Sequence, residues 1–389
     1  MWSLIPSLLL FISPSLLVHA TSYPKTESWS GQNFFQGFNY DAAAYDNTTN
    51  GDVFWGKADN TSLYSVNDAG RVILKVDNTS SVVYNEKRWA PKVLSKTAYS
   101  PGTVWVMDAV HLPYGCGVWP GFWTQGPNWP TGGEIDIFEG INLVTTNQVA
   151  LHTVGSGCLA TSVAAFSGDL TYNNCSTAAN FGSGCTVNET DTASYGAAFA
   201  NAGGGVYIAE FATESIKVWF FTRSAVPSNI TVDAASIETS GLGEPVAEYD
   251  SSSCDFSTFF GAQTLTIDIT LCGDYAGTPS LLEATCGALA TNATCYTTYV
   301  INDQSTNLAN AYFELNYVNV FSSSETKSNS TGGTGQATTT TTAGLSTTVG
   351  LGGTATATGK NGAGGKFHLH WEGVTGILLA VGLGAAMLL

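Results

Sequence analysis

Between about residues 22 and 322, apolar and polar residues alternate in short runs, and little of the 3.6-residue period of helices is present. Clusters of Gly, Asn, Ser and Thr separate these runs, as turns separate antiparallel strands. The pattern predicts an all-β fold in which two curved antiparallel sheets pack as a sandwich of jelly-roll type, with a concave face. The runs are VWVMDAV at 104–110, EIDIFE at 134–139, VYIAEF at 206–211, IKVWFF at 216–221, LTIDITL at 265–271 and AYFELNYVNVF at 311–321.

Both ends of the chain differ in composition from this central domain, which we place at 21–322. Residues 1–20 are mostly apolar and end in Val-His-Ala, which predicts a secretory signal peptide. Residues 323–360 are rich in Ser, Thr, Gly and Ala and predict an unfolded, O-glycosylated stalk. In 361–389, small residues, a polar spacer and an apolar tail predict a glycosylphosphatidylinositol (GPI) anchor signal that is removed. The alternative for this tail is a membrane span.

The remaining composition agrees with export to the cell surface. The formal net charge is −17 with only 13 Lys plus Arg, so no basic patch is available for nucleic acid, and a neutral polysaccharide is the better partner. Eight cysteines predict disulfides, although their pairing stays open. Eight N-x-S/T sequons suit a glycosylated surface; they are at Asn47, Asn60, Asn78, Asn174, Asn188, Asn229, Asn292 and Asn329.

The stretch richest in candidate chemistry is WPGFWTQGPNWPTGGEIDIFEG at 119–140, in which three acids follow three tryptophans. Glu134 and Asp136 alternate with apolar residues and share one face of a strand, whereas Glu139 is out of phase by one residue. A β-bulge near Phe138 would bring all three acids to one surface, and bulges are common beside active sites. Without a bulge Glu139 points into the core, so the functional hypothesis depends on this feature.

Three aligned acids favour hydrolysis of a glycosidic bond, in which one carboxyl serves as nucleophile or base and another as proton donor. Their mutual repulsion should raise at least one pKa, as a general acid requires. Trp119, Trp123 and Trp129 offer flat faces on which sugar rings can stack. A solvated edge strand and a set of calcium ligands are the alternatives for the acids, and the tryptophans would also suit a sandwich core.

The segment GEIDIFEG resembles the active-site strand of glycoside hydrolase family 16, in its E-x-D-x-x-E form. The preceding GCGVWPGFWTQGPNWPTG is similar to the laminarinase-type and mixed-linkage endo-1,3(4)-β-glucanase branch, and the resemblance extends from Phe35 to Phe321. It implies a concanavalin A-like jelly roll, a β-1,3 or mixed β-1,3/1,4 glucan as substrate, and retention of anomeric configuration.

Transferred residue by residue, the resemblance implies Glu134 as nucleophile, Glu139 as acid/base and Asp136 as the hydrogen-bonded partner of Glu134. It also places His152 near the cleft, where we expect it to bind substrate together with the three tryptophans. The alternative for His152 is a strand histidine that bonds to backbone. We expect a monomer with no cofactor, and we assign no metal ligands. Some family members carry a structural calcium on the convex face, and its presence here stays open.

Four positions depart from the family pattern: Phe211, Tyr275 and Phe313 stand where tryptophan is expected, and Gly121 where alanine is expected. These changes leave the linkage preference open. Two other functions also remain open, a glucan transglycosylase and a catalytically inactive glucan-binding wall protein. The E-x-D-x-x-E spacing favours hydrolysis, because wall-anchored transglycosylases of the family typically carry the shorter E-x-D-x-E.

Overall fold

The computed structural model describes residues 22–161, 165–323 and 327–329. The predicted signal peptide and GPI-anchor signal lie outside these residues, as does nearly all of the predicted stalk, so these expectations stay predictions. Among the described residues, no helix has both the length and the hydrophobicity needed to cross a membrane.

Strands dominate the described part of the chain, and its helices are short. The strands are β1 Ser22–Trp29, β2 Phe38–Tyr40, β3 Val53–Trp55, β4 Tyr64–Val66, β5 Val72–Lys75, β6 Arg88–Ala90, β7 Lys92–Tyr99, β8 Thr103–His111, β9 Val118–Gln125, β10 Glu134–Glu139, β11 Gln148–His152, β12 Asp169–Tyr172, β13 Cys185–Asn188, β14 Gly205–Phe211, β15 Ser215–Thr222, β16 Ser236–Glu238, β17 Ala247–Asp250, β18 Gln263–Leu271, β19 Tyr312–Ser322 and β20 Lys327–Asn329. The α-helices are α1 Gly196–Asn201, α2 Phe256–Phe259, α3 Gly273–Ala276, α4 Pro279–Cys286 and α5 Cys295–Tyr299. Short 3-10 helices cover Gly31–Gly37, Asn180–Gly182, Thr192–Ser194, Arg223–Ala225, Thr239–Gly241 and Asn307–Asn310.

Two antiparallel sheets account for most of these strands. The front sheet has the order β12-β13-β11-β10-β9-β18-β7-β2, with β20 also paired to β7. The back sheet has the order β16-β1-β19-β8-β14-β15-β17, with β5 paired to β19 and β4 paired to β5. Strands β3 and β6 form a small parallel pair. The predicted all-β antiparallel sandwich of jelly-roll type is confirmed. Strands β14 and β15 are consecutive and pair as an antiparallel hairpin.

The main hydrophobic core lies between the two sheets. Phe138 of the front sheet contacts Tyr207 and Phe313 of the back sheet, with ring centroids 5.4 and 6.1 Å apart. A second apolar cluster covers the outer face of the back sheet, against the segment 226–242. Strands β8 and β14 are therefore buried on both faces, which explains why their sequences are nearly continuous hydrophobic runs.

All eight cysteines form disulfides, as their number and the export signal predict. The pairs are Cys116–Cys286, Cys158–Cys254, Cys175–Cys185 and Cys272–Cys295. Three of them hold the ends of front-sheet strands, because Cys116 lies just before β9, Cys185 begins β13 and Cys272 follows β18. The bridges thus anchor the sheet that carries the candidate site.

Candidate active site

The predicted bulge is present in β10. Against β11, Asp136 lies opposite Ala150 but Glu139 lies opposite Gln148, so three steps along β10 match two along its partner. Strand β9 shows the same shift. Ile137 and Phe138, which lie between Asp136 and Glu139, are both fully buried in the main core. The bulge therefore brings Glu139 into phase with the other two acids, on the face of the front sheet that points away from the core.

Two donors hold the carboxyl group of Glu139. The Trp119 indole N–H donates to Glu139 Oε1 at 2.8 Å, and Gln148 Nε2 donates to Glu139 Oε2 at 3.2 Å. Tyr275 contacts both partners, since its hydroxyl donates to Gln148 Oε1 at 3.4 Å and its ring meets that of Trp119 edge-on at 5.4 Å. Gln148 was not among the site residues predicted from the sequence, although its period-two spacing to His152 puts the two residues on one face of β11.

Glu134 and Asp136 share a different set of partners. The Trp129 indole N–H donates to Glu134 Oε2. Burial raises the pKa of Glu134, and Asp136 adds to the rise through its charge and through the hydrogen bond that two carboxyl groups make when one carries a proton. His152 lies opposite Glu134 in the β11 register. Its Nε2 is 3.2 Å from Asp136 Oδ2, in a close but poorly aligned ion pair, and 3.9 Å from Glu134 Oε1.

Burial and mutual repulsion shape the electrostatics of this cluster. Burial raises the pKa of Glu134, Asp136 and Glu139, and a neighbouring carboxylate adds to each rise, while the charge of His152 opposes it. For His152, burial favours the neutral ring, but the three acids outweigh burial and raise its pKa to about 10. A carboxyl of this cluster therefore keeps its proton to higher pH than an ordinary glutamate does, as a general acid must.

A second polar group continues along the same face. The Trp123 indole N–H donates to Asp268 Oδ1 at 2.9 Å, and Lys92 pairs with Asp41 at 3.1 Å. The Lys92 ammonium lies 5.1 Å from the ring centroid of Trp55 and 5.7 Å from that of Trp123. Burial raises the pKa of Asp268 to about 7 despite the opposing charge of Lys92. Asp268 was not predicted as a site residue, although it lies on the polar face of the LTIDITL run.

The three tryptophans thus share a feature that their sequence pattern does not show. Each donates its indole N–H to a carboxyl group: Trp119 to Glu139, Trp129 to Glu134 and Trp123 to Asp268. The predicted stacking on sugar rings involves only the faces of the indole rings and not their N–H groups. Their geometry adds the role of orienting the acids.

An open groove with about 510 Å³ of empty space lies over these groups. Its lining includes all three tryptophans and all three acids predicted from the sequence, together with Asp46, Lys92, Asp268 and Thr270. Trp129 lies at the rim and is 39% exposed. His152 is not part of the lining, and it contacts the carboxyl groups from beside the groove.

The four departures from the family pattern fall into two groups. Phe211 and Phe313 are fully buried in the main core, so neither lines the groove. Tyr275 contacts the partners of Glu139, and Gly121 lies on the groove floor. A Cβ atom at Gly121 would lie 2.6 Å from Trp123 Cδ1, so alanine here would displace the Trp123 ring. The last two departures therefore bear on the shape of the groove.

Among the described residues, one group of side chains has the spacing of a metal site. Donor atoms of Glu134, Asp136 and His152 all lie within 4.8 Å of one another. The raised pKa of His152 favours its protonated ring, which cannot bind a metal. We assigned no metal ligands from the sequence, and that stays a prediction.

Comparison with known proteins identifies the family. The chain matches the profile of the XgeA-like, catalytic GH16 domain over residues 38–321. A probable endo-1,3(4)-beta-glucanase of Aspergillus niger is 35% identical over 310 residues, which are 78% of this chain and 40% of that protein. The chain spans 63% and 40% of the lengths of the first two curated relatives.

Two solved structures share the fold over most of the described residues. Laminarinase 16A from Phanerochaete chrysosporium, solved with 6-O-glucosyl-laminaritriose in both donor and acceptor sites, is 33% identical with a TM-score of 0.72. An elongating GH family 16 beta-1,3-glucosyltransferase is 34% identical with a TM-score of 0.70. Each comparison covers 77% of this chain and 100% of the solved chain. Because the profile match and both solved folds extend over most of the chain, the protein belongs to the XgeA-like group of glycoside hydrolase family 16.

Proposed function

We propose that this protein is a retaining endo-β-glucanase that hydrolyses β-1,3 or mixed β-1,3/1,4 glucan. The observation that carries the proposal is the bulge in β10, which puts Glu134, Asp136 and Glu139 on one face of an open groove. The relatives support the substrate class, since one is a probable endo-1,3(4)-beta-glucanase and another is a laminarinase solved with a bound β-glucan.

In the first step, Glu134 attacks the anomeric carbon while protonated Glu139 donates its proton to the leaving oxygen. The Trp129 N–H and the His152 imidazolium stabilise ionised Glu134. Asp136 orients the nucleophile, because its carboxyl group bonds that of Glu134 when one of the two carries a proton. Burial raises the pKa of Glu139, which favours the protonated form that the first step needs.

In the second step, ionised Glu139 removes a proton from water, and this water attacks the glycosyl-enzyme. The C–O bond to Glu134 breaks, and the sugar leaves with its original anomeric configuration. The same carboxyl group of Glu139 acts in both steps. The hydrogen bonds from Trp119 and Gln148 hold this group in the same position during both steps.

The exported protein should cleave laminarin or lichenan but not chitin or xylan, and Glu134→Gln and Glu139→Gln should each abolish cleavage. Glu314→Gln serves as the control, because it removes a carboxylate paired with Arg71 in the back sheet, away from the groove. Proton NMR of early products should show the β-anomer. Normal turnover by either folded groove mutant, or an α-anomer first, would contradict the proposal.

Glucan transglycosylation is the second candidate, because a solved glucosyltransferase shares this fold at 34% identity. The same intermediate would then be captured by a sugar hydroxyl instead of water. A labelled acceptor oligosaccharide separates the two reactions, since transfer yields longer labelled products and hydrolysis yields new reducing ends. Glucan affinity without either product would indicate a binding protein instead.

We also propose that the protein is an exported monomer, attached through a GPI anchor to the outer leaflet of the plasma membrane or to the cell wall. The predicted signals at both ends support this, and so does the pairing of all eight cysteines, because disulfides persist in oxidising compartments. Phosphatidylinositol-specific phospholipase C should release the protein from intact membranes. Unchanged attachment after deletion of 361–389 would contradict the anchor.

A further inference from the structure

The bulge in β10 interrupts the hydrogen-bond ladder beside the acid/base, and one side chain takes over at the interruption. The amide of Asn147 accepts from the Glu139 backbone N–H at 2.9 Å and donates to the Ile137 carbonyl at 3.2 Å. These two peptide groups flank Phe138, which lies within the bulge. The side-chain amide therefore does what a backbone peptide does in a regular strand.

Asn147 is itself held rigidly. It is 1% exposed, its N–H donates to Ser194 Oγ at 3.0 Å, and its carbonyl accepts from the Glu189 N–H at 2.9 Å. Its backbone and side-chain polar groups are thus all bonded. A buried, fully bonded amide resists rotation, because any other orientation leaves polar groups without partners.

We propose that Asn147 is a positioning residue for the acid/base: its amide locks the bulge and thereby directs Glu139 into the groove. The proposal rests on the proposed function of Glu139. If the bulge relaxed by one residue, Glu139 would change faces, because successive strand side chains point to opposite sides. The adjacent Gln148 bonds the carboxyl group, so consecutive residues hold the backbone and the side chain of Glu139.

Asn147→Ala should lower kcat on laminarin about 100-fold, the scale of a misplacement near 1 Å, with KM changed little. An aryl glycoside with a good leaving group, such as 2,4-dinitrophenyl β-laminaribioside, needs no proton in the first step. Its kcat/KM should therefore fall far less than that of laminarin. Azide should also speed turnover of the aryl glycoside by Asn147→Ala. The anion needs no base: it attacks the glycosyl-enzyme, displaces Glu134 and forms a β-glycosyl azide.

Asn319→Ala is the matched control for stability. Asn319 is also fully buried, and its amide likewise bonds backbone carbonyls, those of Thr231 and Val232, but on the outer face of the back sheet. It should lower the Tm while leaving the ratio of laminarin to aryl-glycoside activity as in the wild type.

Asn147→Asp gives a second, independent readout. When protonated, aspartic acid has the shape of the amide, and its O–H can donate to the Ile137 carbonyl. When ionised, it repels that carbonyl. A buried carboxyl titrates above its ordinary range. The kcat of this variant should therefore recover toward acid pH relative to the wild type.

Three outcomes would each overturn the proposal. Folded Asn147→Ala could lose as much activity on the aryl glycoside as on laminarin, or azide could leave its turnover unchanged. The third outcome is a pH profile of Asn147→Asp that runs parallel to that of the wild type. Glu139→Ala, assayed in parallel, separates this failure from failure of the proposed function. If that variant retains laminarin hydrolysis, or lacks rescue by azide on the aryl glycoside, Glu139 is not the acid/base.

Discussion

The pKa of His152 is raised by carboxyl groups that are distant from it along the chain. Eighteen positions separate it from Glu134 in sequence, yet the β10–β11 register places the two residues opposite each other. Burial favours the neutral ring, but the three acids outweigh it and make the protonated ring the stable form at neutral pH. The histidine expected to bind substrate thus also supplies the positive charge that lets several carboxyl groups share one groove.

This arrangement predicts a pH dependence of stability. Because folding raises the pKa of His152 from 6.5 to about 10, its stabilisation is complete below about pH 6.5 and is lost as the pH rises toward 10. The raised carboxyl pKa values act in the same direction. We expect the Tm to fall between these pH values, and to fall less steeply for His152→Gln.

Thermal unfolding across this pH range checks the prediction. His111→Gln is the control, because burial lowers the pKa of His111, so the folded protein titrates this ring below the range in question. Its Tm curve should run parallel to the wild type. Parallel curves for His152→Gln and the wild type would contradict the assigned charge.

At the level of elements, the bulge in β10 has both a polar and an apolar support. Phe138, which lies within the bulge, is fully buried and packs against Tyr195, Tyr207 and Phe313. Burial of this ring opposes any slip that would turn it toward the groove. The alternation of Ile135 and Ile137 with the acids shows the strand, whereas the aromatic pocket decides where the alternation breaks.

Phe138→Ala should lower the free energy of unfolding by about 3–5 kcal/mol, since it leaves a cavity in the main core. It should also lower kcat beyond the loss of folded protein, because the bulge loses its apolar support. Urea unfolding and laminarin assays on the folded fraction measure the two effects.

Ile135→Ala is the control, since Ile135 is buried in the same core but lies outside the bulge. It should cost about 2–5 kcal/mol and leave kcat nearly unchanged. A similar fall in kcat for both variants would show that the bulge needs no support from Phe138.

At the scale of the whole molecule, the disulfides link segments that the sandwich brings together from distant parts of the chain. Cys116–Cys286 spans 170 residues and Cys175–Cys185 only 10. In the chain-entropy account, a bridge restricts the unfolded state more when it closes a longer loop. The bridge that closes the longest loop, Cys116–Cys286, should therefore contribute most to stability.

Replacing both members of Cys116–Cys286 with serine should lower the free energy of unfolding by about 5 kcal/mol, against about 3 kcal/mol for Cys175–Cys185. Urea unfolding under non-reducing conditions measures both. A larger loss for the short bridge would show that strain or local packing, rather than loop entropy, sets the order.

Much of the catalytic strand could be predicted from the sequence because its information is local. The alternation in EIDIFE shows a strand, the spacing of its acids requires a bulge for function, and both features lie within six residues. The turn-separated runs likewise predicted the all-β sandwich, and the even number of cysteines predicted disulfides. Family resemblance then named the acids and the reaction they suit.

Tertiary structure alone decided which distant groups meet these acids. Three of these groups, Gln148, Lys92 and Asp268, reach the site from strands whose neighbours are set by sheet order, and Tyr275 reaches it from the short helix α3. That order reflects burial of the whole core, to which every strand contributes, so no short segment records it. The same holds for the partners of the indole N–H groups and for the disulfide pairing. Local periodicity determines which residues share a face, and long-range packing determines what that face meets.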